Sequence, residues 1–134
     1  MTERVQRGLL DTCAVIDLPD LDPARLPVEV AIPSLVLAEL VQGVAMTKDP
    51  AQVMVRSQRL ADIEAKFAAI PFDREAARRY GTLVALTIAA KRDPRPRRID
   101  LMIAATAAAN RLPLYTRNAG DFQGLSNAVT VIAI

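Results

Sequence analysis

The sequence predicts an α/β protein: a three-layer α/β/α sandwich with a mainly parallel central sheet, as a single domain over residues 1–134. Three observations predict it. Short apolar runs alternate along the chain with longer helical patterns, the signature of parallel strands joined by helices. Those runs are unbroken rather than alternating, as in strands buried on both faces. Finally, 134 residues with 51% hydrophobic content suffice for one core, and no repeat, low-complexity tract or linker divides them.

The elements follow in order. "GLLD" (8–11) reads as a short buried strand and "VEVAI" (28–32) as a second, closed by Pro33. Ser34 is an N-cap candidate for a helix over 35–45, "LVLAELVQGVA". Residues 51–69 form a longer amphipathic pattern, with Val55, Ile63 and Phe67 on one side. "AIPF" (69–72) is a short strand. Asp73 caps a helix over 74–92 whose inner residues are Ala76, Tyr80, Leu83, Val84 and Ile88. "DPRPRR" (93–98) holds two prolines and excludes regular helix. An Ala-rich helix covers 100–111 and a strand 112–116. A loop with one helical turn spans 117–127, and a last strand 128–134.

Composition excludes several kinds of chemistry. There is no histidine, which removes Ser-His-Asp and Cys-His catalysis and His-rich zinc sites. A catalytic metal held by side chains would need mostly carboxylates, which suit hard cations such as Mg²⁺ or Mn²⁺. The single cysteine, Cys13, forms no internal disulfide and suits a reducing cytoplasm. Charges near the start are not followed by an apolar segment, so no signal peptide is expected, and no apolar run is long enough for a membrane span. The net charge of +2 is mild, so affinity for nucleic acid requires a local patch.

Four acids stand apart. Asp11 follows Leu9 and Leu10, either as a helix cap or as a carboxylate at the mouth of a sheet. Glu39 sits mid-helix among apolar neighbours, where an unpaired carboxylate is costly unless it shares a narrow solvent stripe with Gln42. Asp100 opens an apolar helix, either as a cap or as part of a site. Asp121, in "AGDF", is either a loop acid or the fourth of a set. In a parallel sheet these positions converge at the carboxyl edge, where ligands bind. Converging carboxylates repel unless a cation sits among them, the arrangement that metal-assisted phosphodiester cleavage requires. The other acids read as solvated.

Four segments, "LLDTCAVID" (9–17), "PSLVLAELVQG" (33–43), "RIDLMIAATAAAN" (98–110) and "LYTRNAGDF" (114–122), resemble the PIN-domain ribonucleases, in particular the VapC-type toxins of bacterial toxin–antitoxin pairs. The resemblance spans nearly the whole chain. It implies a metal-dependent endoribonuclease with Asp11, Glu39, Asp100 and Asp121 holding Mg²⁺ or Mn²⁺, and Thr116 and Asn118 supporting the fourth position. Asn118 occupies a place often held by Asp, so the division of the fourth position between Asn118 and Asp121 stays open. Thr12 would fix the local turn. Cys13 replaces a more usual Ser or Asn and is expected to be a small buried residue, not a nucleophile. The resemblance further implies a homodimer and a hydrophobic groove for a VapB-like antitoxin segment.

"KRDPRPRR" (91–98) places five basic groups just before Asp100. Arg95, Arg97 and Arg98, with Arg117 on the same edge, are either a solvated loop or a clamp for the RNA backbone. With 4% aromatic residues, base stacking is limited, and recognition would rest on shape and phosphates. Two alternatives remain. One is a Mg²⁺-binding phospho-acceptor signalling module, which needs a lysine near the acceptor, whereas Lys48, Lys66 and Lys91 lie away from strand ends. The other is a catalytically inactive PIN-like binding module, against which the presence of all four acids argues.

Overall fold

A computed structural model describes residues 4–134. Five strands form one sheet in the order β3-β2-β1-β4-β5, every pair parallel. They are β1 (Arg7–Leu10), β2 (Glu29–Pro33), β3 (Ala68–Ile70), β4 (Leu114–Thr116) and β5 (Val131–Ala133). Consecutive residues of a strand face opposite sides of a sheet. Leu9 and Leu10 in β1, Ala31 and Ile32 in β2, and Leu114 and Tyr115 in β4 are all buried, so the central strands are covered on both faces and the three-layer expectation holds.

The helices are α1 (Thr12–Ile16), α2 (Ser34–Met46), α3 (Pro50–Lys66), α4 (Arg74–Ala89) and α5 (Arg98–Ala109). The core gathers Leu9, Leu10, Ile32, Val36, Leu83, Leu101, Ile103 and Leu114 among others. Gly8 permits one close approach in it: a Cβ there would lie 2.6 Å from the Tyr115 ring.

Several expected boundaries move. The second helix includes Ser34 as its first residue; Pro33 holds the cap position and Ser34 makes no capping bond. Asp49, with Pro50 at the first helical position, starts α3, and its carboxylate accepts from the Ala51 amide at 3.0 Å. That helix ends at Lys66 because Ala68 already pairs with Ala31 in β2. Asp73 caps α4 as expected, accepting from the Ala76 amide. That helix stops at Ala89, and Lys91 takes a left-handed φ of 60°. The final strand contracts to Val131–Ala133, Ala128 and Val129 being tied instead to the Leu125 carbonyl.

Two residues expected inside are outside. Val55 is 60% and Ile88 59% exposed, whereas Ile63, Ala76 and Leu83 are buried as expected. Helical spacing aligns residues on a face, but it does not say that the whole length of the face meets a neighbour.

Candidate functional site at the carboxyl edge

Strand order turns at β1. The chain builds outward through β2 and β3, then returns to lay β4 and β5 on the other side. A crevice opens at the carboxyl ends where such an order reverses, here between β1 and β4. Leu10 pairs with Tyr115, so the next residues, Asp11 and Thr116, leave the sheet side by side.

Asp11 is a helix cap and, at the same time, a buried carboxylate at the carboxyl edge of the sheet. It is the N-cap of α1, its Oδ1 accepting from the Ala14 amide at 3.0 Å. It is also buried, at 4% exposure, and its Oδ2 accepts from the Thr116 hydroxyl at 2.5 Å. Burial pushes its carboxyl up, the bonds from Thr116 and Ala14 pull it back, and the charges of Asp121 and Glu39 push it up again. Thr116 in turn accepts from the Asn118 amide at 2.9 Å, so the start of the 117–122 segment is anchored to the same hydroxyl.

Glu39 does not share a solvent stripe with Gln42. It is half-buried and accepts a hydrogen bond from the Thr12 hydroxyl; the exposed Gln42 amide reaches the Met46 sulfur instead. Thr12 therefore links α1 to α2 across the site, beyond its expected part in the local turn.

Asp100 is not a helix cap. The prolines of 93–98 give a 3-10 turn at Arg95–Arg97, and α5 starts at Arg98, so Arg97 holds the cap position and Asp100 is the third helical residue. It is half-buried. Its carboxyl is pushed up to about 6 by burial first, then by the charges of Asp121, Asp11 and Glu39, with Arg97 pulling it down. Asp121 lies exposed in the 3-10 turn Ala119–Phe122, which Phe122 anchors in the core. Acids from four segments thus bear on Asp11 and Asp100. Among the described residues none of the four forms an ion pair with a lysine or arginine. Nor are any three His, Cys, Asp or Glu side chains there drawn close enough to enclose an ion.

The basic residues divide. Arg95 and Arg98 line a cleft of about 430 Å³ with Glu39, Pro96, Ile99 and Asp100. Arg95 is held by Asp93, through bonds of 3.1 and 3.2 Å, and Arg97 donates to the Asp93 carbonyl at 2.7 Å. Arg117 pairs with Asp17 at 3.3 Å. Asp17 and Asp93 therefore organise basic groups, although both read as solvated acids. The spacing "DPR", an acid two residues before an arginine in a turn, was the signal for Asp93, whose Oδ1 also accepts from the Arg95 amide. Asp17 and Arg117 are 100 positions apart, and no sequence signal pairs them.

Cys13 is exposed, not buried, because it sits on the outward side of α1 while Ala14 and Val15 turn into the core. Its thiol is pushed up by partial desolvation and by Asp11, Asp100 and Asp17, so it stays protonated and is a poor nucleophile.

The chain matches the PIN domain family over residues 9–125. It is 39% identical over 131 residues to Ribonuclease VapC5 of Mycobacterium tuberculosis, covering 92% of this chain and 91% of that protein. The crystal structure of VapBC-5, a member of the VapBC family of toxin–antitoxin systems from the same organism, aligns with a TM-score of 0.76 at 36% identity. That alignment covers 96% of this chain and 97% of the other. A toxin–antitoxin complex from Klebsiella pneumoniae aligns at 0.64 with 28% identity, covering 94% and 96%. With the four segments of the resemblance now placed around one edge of a parallel sheet, the chain belongs to the PIN-domain family, as a homologue of the VapC ribonucleases.

Proposed function

We propose that this protein is a metal-dependent endoribonuclease, the toxin of a pair with a VapB-like antitoxin, working as one domain over 1–134 in the cytoplasm. The observation that supports it best is that Asp11, Glu39, Asp100 and Asp121 lie near enough for their charges to act at Asp11 and Asp100, none of the four in a described ion pair, although no three of them are drawn close enough to enclose an ion. An all-oxygen set of this kind fits Mg²⁺ or Mn²⁺, and these four residues would hold the ion, with Asn118 beside Asp121. A bound divalent cation supplies positive charge for the scissile phosphate and a more acidic water.

The chain's own groups prepare that site. Thr116 and the Ala14 amide fix the two oxygens of Asp11, and Thr12 orients Glu39. Arg95 and Arg98, in the cleft beside Glu39 and Asp100, would bind backbone phosphates, with Arg97 and Arg117 at the margin. The pairs Arg95–Asp93 and Arg117–Asp17 are exposed. Such pairs are weak, so both guanidinium groups are free to exchange a carboxylate for a phosphate. An apolar groove of about 870 Å³, walled by Val15, Leu18, Met54, Ile63 and Phe67, suits a segment of the antitoxin, and the toxin would pair as a homodimer.

The test is RNA cleavage by purified protein with Mg²⁺ or Mn²⁺, expected to stop on addition of EDTA. Asp11→Asn, Glu39→Gln and Asp100→Asn should each lower the rate about 10²-fold or more, since each removes a ligand or its support. Comparing Asp121→Asn with Asn118→Ala assigns the fourth position to the larger loss. Cleavage that persists in EDTA overturns the metal mechanism.

A further inference from the structure

Two candidate site residues stand at the start of α1, Asp11 as its cap and Thr12 as its first residue, yet α1 has only five residues. So short a helix has little stability of its own, and beyond the Asp17 amide, which donates to the Cys13 and Val15 carbonyls, its end has no backbone partner. The α3 helix supplies a side-chain partner. The Arg59 guanidinium donates to the Val15 carbonyl at 3.2 Å and to the Ile16 carbonyl as well. Its positive charge also meets the negative end of the helix dipole. The same side chain walls both the apolar groove and a second hollow of about 380 Å³ that reaches Thr12 and Glu39. Helix α1 is thus held at its start by Asp11 on the Ala14 amide and Thr12 on Glu39, and at its end by Arg59.

We propose that Arg59 is a positioning residue for the acidic site: by holding the last carbonyls of α1 it fixes Asp11 and Thr12 and, through Thr12, the Glu39 carboxylate. A helix of one and a half turns moves as a unit, so release of its end shifts its start. Displacement of about 1 Å at a reacting centre costs up to about 10²-fold in rate. The activity side of the proposal rests on the nuclease reading; the structural side does not.

The experiment compares the parent, Arg59→Ala and Arg59→Lys in Mg²⁺-supported RNA cleavage and in amide hydrogen exchange. Exchange is read over residues 12–17, with 101–109 in the core as control. Arg59→Ala should lower kcat about tenfold with little change in KM. It should speed exchange over 12–17 and leave 101–109 protected. Arg59→Lys should recover part of both, since an ammonium can reach a carbonyl but lacks the guanidinium fork. A rise in KM with unchanged exchange would make Arg59 an RNA contact and overturn the proposal, as would unchanged kcat and exchange. If Arg59→Ala also loses protection at 101–109, Arg59→Lys decides: intermediate kcat and exchange sustain the proposal, and parental behaviour overturns it. If the parent cleaves no RNA, the nuclease reading fails, and exchange over 12–17 alone decides whether Arg59 holds α1.

Discussion

Helices α5 and α3 put similar apolar residues to opposite uses. In α5, Leu101, Ile103 and Ala104 to Ala107 are buried on nearly every side. In α3, Ile63 is the one buried residue, while Met54 is 75% exposed and faces the apolar groove with Val55. The first helix completes the core and holds Asp100 near its start, at the candidate site. The second presents exposed apolar side chains, and it borders the hollow that reaches Thr12 and Glu39 with Val55, Arg56, Arg59 and Leu60. Burial measures how far this chain completes a surface by itself; an exposed apolar run of this kind marks a surface a partner can complete.

The largest expected effect separates the two as scaffold and surface. Ile103→Ala should destabilise by about 2–5 kcal/mol, because it opens a cavity in a packed core. Val55→Ala should stay within about 0.5 kcal/mol, read by denaturant unfolding. Equal losses would show that α3 is packed as tightly as α5.

A smaller effect concerns the charge that α5 carries. The carboxyl of Asp100 titrates near 6 in the folded protein against an ordinary 3.8. Between about pH 4 and 6 the folded protein keeps a proton that the unfolded chain has lost, so without metal this group makes stability fall as pH rises through that window. Asp100→Asn should abolish that fall. At pH 7 without metal it should be more stable than the parent by roughly 0.5–2 kcal/mol, screening by solvent being allowed for. The difference should vanish below about pH 4, and Mg²⁺ should stabilise the parent more than the variant. Thermal unfolding across pH, in EDTA and in Mg²⁺, checks both; a variant with the parent's pH profile would remove Asp100 from the acidic cluster.

The smallest effect contrasts the helix starts. Asp49 caps α3, whereas Arg97 at the start of α5 makes no capping bond. Asp49→Ala should cost about 1 kcal/mol and leave RNA cleavage unchanged, as expected of an acid that supports a helix alone. A loss of activity with Asp49→Ala would mean that the start of α3 also bears on the site.

Much was legible beforehand because it rests on local rules. Apolar runs buried on both faces, the cap at Asp73 and the breaking of helix by the prolines of 93–98 depend on neighbours in sequence. The same holds for the choice of Asp11, Glu39, Asp100 and Asp121 as acids worth attention, since each interrupts an apolar or turn pattern that explains its surroundings. The boundaries of α3 and α5 were less legible. Pairing of Ala68 with Ala31 ended one early, and a 3-10 turn allowed the other to start before its acid.

The sequence by itself determined the layered fold, the absence of histidine chemistry and the oxygen character of any metal site, because these follow from composition and periodicity. Tertiary structure alone decided that Thr12 meets Glu39, that Thr116 meets Asp11 and that Arg117 meets Asp17. It also decided that Val55 and Cys13 face outward and that Arg59 closes α1. The physical reason is that a hydrogen bond within about 3 Å between residues 27 to 105 positions apart depends on how the whole sheet stacks its strands, and no local pattern records that distance.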